Sequence, residues 1–203
     1  MTSSRWDPFP LRVSVEDLDL IIRPVTAADK SRIVEGLRAI SPETSYRRFF
    51  TPTFYPSDEQ LRYLTDIDGE RHMALGAVDA SKEGAPGVGV ARYIRLSEEP
   101  TVAEAAILVI DAYQRRGVGS VLLVALSRYA WHHGIRTFRG YVLPDNRAFL
   151  RYLQALGARK EQVEDGILQL DLPVLGRAED LPETPAAQRA RRAWRTVDTA
   201  WPA

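Results

Sequence analysis

The order of apolar and polar positions divides the chain into short runs of two periodicities. "LDLIIRPVT" (18–26) reads as a strand ended by Pro24, which has no N–H to give to a ladder. Thr26 with Asp29 marks a helix N-terminus, and Ile33, Leu37 and Ile40 continue at helical spacing. Ser41-Pro42 caps and starts a second helix, which carries Tyr46, Phe49 and Phe50. Ser57 and Gln60 fit a capping box for a third helix, running to about Asp66. "HMALGAVDA" and "GVGVARYIRL" are two strands around the loop "SKEGAPG", and "VAEAAILVI" is the next strand. A helix then runs from Gly117 to about His133 and stops at Gly134. "TFRGYVL" is a strand, Pro144-Asp145-Asn146 opens a helix that ends at Gly157, and "GILQLDL" is the last strand. The order β-α-α-α-β-β-β-α-β-α-β predicts one layered α/β domain over residues 18–175. Residues 1–17 read as an irregular leader. Residues 176–203 hold few aliphatics and cluster Arg189, Arg191, Arg192 and Arg195. They are expected to be a disordered tail or a docking helix using Trp194 and Trp201. A chain ending near Leu175 is therefore expected to keep its chemistry.

Composition narrows the functional classes. With 203 residues, 45% of them apolar, the chain can bury a substantial core. Lys+Arg and Asp+Glu balance at 27 each, which argues against general affinity for nucleic acid or anionic membrane. The absence of Cys removes disulfides, thiolate nucleophiles and Cys-ligated zinc. No signal-like stretch opens the sequence, and no apolar run approaches the ~20 residues needed to span a bilayer. A soluble cytoplasmic protein is expected, as a monomer or homodimer. His132 and His133 suit a helix C-terminus, His72 reads as a surface residue, and no metal site is expected.

Candidate chemistry concentrates in "ILVIDAYQRRGVGSVLLVALSRYA" (107–130), where a buried strand enters a helix through a polar turn with two glycines. A Walker loop would need Gly-Lys-Ser/Thr, which does not occur, and a dinucleotide fingerprint would need Gly where Leu122 stands. What remains is Gln114, Arg115, Arg116, Gly117, Val118, Gly119 and Ser120 in strand–turn–helix context. Unpaired N–H groups at the helix start, the helix dipole, two arginines and two residues without Cβ converge on one spot suited to phosphate.

"QRRGVG" resembles the Q/R-x-x-G-x-G/A signature of the GCN5-related N-acetyltransferases (GNAT), which hold the pyrophosphate of acetyl-CoA there. The resemblance covers about Leu18 to Leu172 and includes "LPDNRAFLRYLQALGA", in which Asn146, Leu156 and Gly157 match a family helix. "ISPETSYRRFF" and "TVAEAAILVIDAYQRRGVG" look most like the bacterial Pat-type protein-lysine acetyltransferases that act on acyl-CoA synthetases. The resemblance implies a GNAT fold: a mixed, mostly antiparallel sheet flanked by helices, with splayed central strands. It also implies acetyl-CoA as donor cosubstrate, with Asn146 and the turn at 114–120 holding it. The backbone of Ile107 and Val109 would line the pantetheine path, although both side chains equally suit core packing. The family's common Tyr falls at Leu153, with Tyr152 about 100° around the helix, so the general acid is unassigned.

Acyl transfer to an amine needs the amine neutral, and a lysine side chain is mostly protonated at neutral pH. Glu104 is the only charge in "TVAEAAILVI" and matches the position of the proposed base in the resembled enzymes. Alternation alone also permits a strand-edge Glu facing solvent. The expected function is acetyl transfer to a protein lysine by direct attack. The rivals are acetylation of a small amine or antibiotic, and a non-catalytic acyl-CoA sensor or interaction module.

Overall fold

The computed structural model describes residues 7–185 and 187–202. Its frame is an eight-stranded sheet in the order β1-β2-β3-β4-β5-β6-β8-β7, with only the β5–β6 pair parallel. The strands are β1 Leu11–Val15, β2 Leu18–Pro24, β3 His72–Asp79, β4 Gly87–Arg95, β5 Val102–Val109, β6 Thr137–Val142, β7 Arg159–Glu164 and β8 Ile167–Pro173. Helices α1 Lys30–Arg38, α2 Pro42–Phe49 and α3 Asp58–Thr65 precede β3. Helix α4 Val118–His132 follows β5, α5 Arg147–Ala155 follows β6, and α6 Ala187–Ala200 follows β8.

Local sequence accounts for the helix ends. Ser41 accepts from the Thr44 N–H at the start of α2, and Ser57 and Gln60 form the expected reciprocal capping box on α3. His133 closes α4 with its N–H on the Tyr129 and Ala130 carbonyls, and Gly134 follows at φ 79°.

Residues 11–15 are not an irregular leader. Leu11 and Val13 alternate with exposed residues, and β1 turns through Glu16-Asp17 to pair with β2 from Val15↔Leu18 to Leu11↔Ile22. Strand β7 was also unforeseen; it is an edge strand that pairs with β8 alone.

Helix α4 is apolar nearly all round because both of its faces are covered. One face lies on β3, β4 and β5; the other is covered by α6, which also contacts β1. Trp194 of α6 is 2% exposed, with Ala190, Ala193 and Val197 buried beside it. Arg128 of α4 pairs with Asp198 and lies over the Trp201 ring at 4.5 Å. Residues 187–200 thus take the docking-helix form of the two expected for the tail, and they complete the core, so a chain ending near Leu175 would uncover α4. Trp194→Ala is expected to lower unfolding stability by about 3–5 kcal/mol, the usual loss for emptying a buried large aromatic site. Denaturant titration measures it, and a loss near zero would mean that α6 does not hold α4.

Candidate active site

Strands β5 and β6 are joined only at Val102↔Thr137, Ala103↔Phe138 and Glu104↔Arg139. Beyond Glu104 they part: β5 stays on β4 as far as Val109↔Gly89, and β6 stays on β8 as far as Val142↔Leu168. The sheet is therefore split from within, and Glu104 stands at the fork.

Hydrogen-bond alternation fixes what faces the split. Leu96 N–H donates to Val102 O and Ile110 N–H to Val88 O, so even-numbered residues of β5 turn their backbone toward β4. Ile107 and Val109 turn theirs into the split. The Val109 carbonyl is already taken, accepting from Gln114 Nε2 at 3.1 Å. The Ile107 N–H and carbonyl and the Val109 N–H have no partner among the described residues.

Side chains of β5 divide between the two faces of the sheet. Ile107 and Val109 point toward α4, where a Cβ on Gly119 would lie 3.6 Å from each of them. Glu104, Ala106 and Leu108 share the opposite face with Ile94, Arg92 and Val90, their partners on β4. That face carries α1 and α2, and Glu104 is exposed on it. The free backbone of β5 thus runs between the glycine turn on one face and a carboxylate on the other.

At the turn, α4 begins at Val118, and its first intrahelical backbone bond is Val121 N–H to Gly117 O. The N–H groups of Val118, Gly119 and Ser120 are left without partners among the described residues. Gly117 adopts φ 83°, and a Cβ there would lie 2.5 Å from Val15 Cγ1. Its glycine therefore serves the fold, letting the turn close against the β1–β2 hairpin. Arg116 is drawn to the same hairpin, paired with Asp17 at 2.7 Å and over the Tyr113 ring at 5.3 Å. Arg115, at φ 61°, is exposed and makes no ion pair among the described residues.

Other expected site residues are committed elsewhere. Besides Val109 O, the Gln114 amide donates to Thr44 Oγ1 at 3.1 Å, so its side chain braces the turn against α2. Thr44 in turn donates to Asp111, which also accepts from the N–H and hydroxyl of Ser41. Burial would raise the Asp111 pKa, but these hydrogen bonds outweigh it and hold the carboxyl below its ordinary range. The start of α2 is thereby tied to the end of β5. Ser120 is buried and accepts from the Tyr152 hydroxyl at 3.0 Å. Tyr152 thus packs on α4, with burial raising its pKa, and Leu153 is buried in the core. Asn146 stands just before α5, and its side chain makes no hydrogen bond among the described residues.

His72 is buried rather than at the surface, and it stands on the Glu104 face of the sheet together with Arg92. No expectation singled out Arg92 or Arg48. The available signal for Arg92 was the one that marked Glu104, a charge within an apolar strand run. No group of three or more His, Asp or Glu among the described residues is arranged to hold a metal.

The split sheet, with the glycine turn on one face and Glu104 on the other, defines an α/β fold whose central cleft can take an extended ligand. The sequence matches the family profile "Acetyltransferase (GNAT) domain" over residues 19–159, and the chain belongs to that family. It is 34% identical over 169 residues to the acetyltransferase Pat of Mycolicibacterium smegmatis, covering 82% of this chain and 49% of that one. The chain thus spans about half the length of that relative. The GNAT domain of S. lividans PAT superposes with a TM-score of 0.70 at 30% identity, over 79% of this chain and 96% of that one. A spermidine N-acetyltransferase from Vibrio cholerae, solved with CoA and spermine, shares the fold at 18% identity and a TM-score of 0.61, over 76% of this chain and 95% of that one.

Proposed function

We propose that the chain transfers the acetyl group of acetyl-CoA to the side-chain amine of a protein lysine, by direct attack, with Glu104 as general base. The observation that carries this reading is the place of Glu104: exposed, at the fork of β5 and β6, on the face opposite the glycine turn. Acetyl-CoA supplies an activated acyl group as a thioester. The unpaired N–H groups of Val118, Gly119 and Ser120, with Arg115, suit its pyrophosphate. Free backbone groups of Ile107 and Val109 suit the pantetheine arm, and an N–H in that row can polarise the thioester carbonyl. Asn146 is a further polar group available to the cosubstrate. From the other face, Glu104 takes the proton that the attacking amine must lose.

An accessible carboxylate favours a large acceptor. Tyr46, Phe50, Tyr55 and Tyr63 on and around α2 and α3 are all exposed, a surface on which a folded protein can rest. The resemblance of "ISPETSYRRFF" and "TVAEAAILVIDAYQRRGVG" to Pat-type protein-lysine acetyltransferases supports a protein-lysine acceptor, with an acyl-CoA synthetase as the kind it implies. No helix among the described residues is long and apolar enough to cross a membrane.

The test is acetyl-CoA turnover against a panel of proteins and small amines, with modified residues located by peptide mass spectrometry. Acetyl-lysine on a protein acceptor is the expected product. Turnover confined to small amines would replace the acceptor, and acetyl-CoA binding with no turnover on any acceptor would leave an acyl-CoA sensor.

A further inference from the structure

On the Glu104 face, α1 and α2 enclose a cavity of about 100 Å³ over strands β2 to β5. Four arginines line it: Arg23 and Arg32, both paired with Asp29, Arg48 from the last turn of α2, and Arg92 from the middle of β4. Arg92 is 7% exposed. Of its five N–H donors, one lies 3.3 Å from His72 Nε2 and one donates to the Leu64 carbonyl at 3.2 Å. A guanidinium can only donate, so His72 accepts through Nε2 and carries its proton on Nδ1. That ring is neutral, in keeping with burial and the nearby Arg92 pushing its pKa down to about 4. Neither partner of Arg92 is an anion.

Arg48 makes no ion pair among the described residues; it rests 5.0 Å from the Phe49 ring centroid and is attracted by Glu104. Burial lowers its pKa, and burial followed by repulsion from Arg48 brings Arg92 down to about 10. Asp29, the acid in the cavity lining, is committed to Arg23, Arg32 and Thr26. Arg92 is a buried cation whose two partners are neutral, which costs folding free energy, and Arg48 beside it is half-buried. They are kept beside the transfer edge: Arg92 lies directly across from Ala106, and Glu104 is one same-face position further along β5. The anion that fits two guanidinium forks in so small a space is a carboxylate.

We propose that Arg48 and Arg92 form a carboxylate-binding subsite beside Glu104, which reads a carboxylate on one of the two reactants. The carboxylate belongs either to the far end of a dicarboxylic acyl donor or to an acidic residue of the acceptor. The identity of the reactants rests on the acetyltransferase reading; the binding does not require turnover.

Calorimetry on the full chain tests it, with acetyl-CoA, succinyl-CoA, and lysine peptides bearing Glu or the neutral Gln beside the lysine. One acidic ligand is expected to bind about 10- to 100-fold tighter than its neutral counterpart, the worth of a hydrogen bond between charged groups. That preference should vanish in Arg92→Gln and persist in part in Arg92→Lys, with acetyl-CoA affinity little changed. A preference for succinyl-CoA assigns the carboxylate to the donor, and one for the Glu peptide assigns it to the acceptor. Should Arg92→Gln fail to fold, Arg48→Gln gives the same comparison, since the described contacts of Arg48 are with the ring of its neighbour Phe49 and include no ion pair. Equal affinities in the parent chain would overturn the subsite, as would a preference that survives both substitutions. Failure to bind acetyl-CoA at all would instead remove the acetyltransferase reading.

Discussion

Glu104→Gln is expected to lower kcat for acetyl transfer by about 10²–10⁴-fold at neutral pH, the usual contribution of a general base. Gln keeps the shape and can still hydrogen-bond, but it cannot take a proton at useful pH. Acetyl-CoA affinity should change little, because the backbone of β5 and the turn at 114–120 lie away from the Glu104 side chain. The sign of the pH dependence follows from the acceptor. A lysine amine, with a pKa near 10.4, becomes neutral without help as pH rises, so the defect should shrink toward alkaline pH. Steady-state kinetics from pH 7 to 9.5 with calorimetric affinities separates the possibilities. Near-normal kcat at neutral pH would remove Glu104 from the mechanism, and loss of cosubstrate binding with kcat would make its role structural.

Glu104 was legible because a single charge interrupts an apolar strand. Its position at the fork was not, since that depends on how far β6 follows β5. Arg92 gave the same local signal, but its meaning comes from register: only once His72 pairs with Ile94 and Glu104 with the same Ile94 do a neutral ring, a guanidinium and a carboxylate share one face. The helices on that face were readable because capping is a local matter of three or four residues. Strand β7, "RKEQVE", carries almost no apolar pattern, since an edge strand can be held by its backbone and left polar outside. The hairpin of β1 was visible in the alternation of "LRVSV", yet its use was not. Val15 and Asp17 seat the glycine turn from a distance of 99 residues in the chain, as Arg116 to Asp17 shows. The apolar circumference of α4 was itself a clue that something must cover its outer face, and α6 with Trp194 does so.

The two glycines of the turn should therefore fail in different ways when given side chains. At Gly117 an added Cβ meets Val15 at 2.5 Å, and φ 83° is strained for any L-residue. Gly117→Ala should thus cost stability, about 1–2 kcal/mol from the backbone alone, whatever it does to binding. Gly119 lies within α4, and its added Cβ would make ordinary contacts of 3.6 Å with Ile107 and Val109. Gly119→Val should fold, with only the small propensity loss of a branched residue in a first helical turn. Its methyl groups would crowd the Ile107 and Val109 edge of β5 beside the unpaired N–H groups of Val118, Gly119 and Ser120, the proposed pyrophosphate site. Acetyl-CoA affinity is expected to fall about 10- to 100-fold, the loss of one or two charge-assisted hydrogen bonds. Thermal unfolding and calorimetry on the same samples resolve the two effects. A stable Gly119→Val chain that binds acetyl-CoA as tightly as the parent would move the pyrophosphate away from this turn.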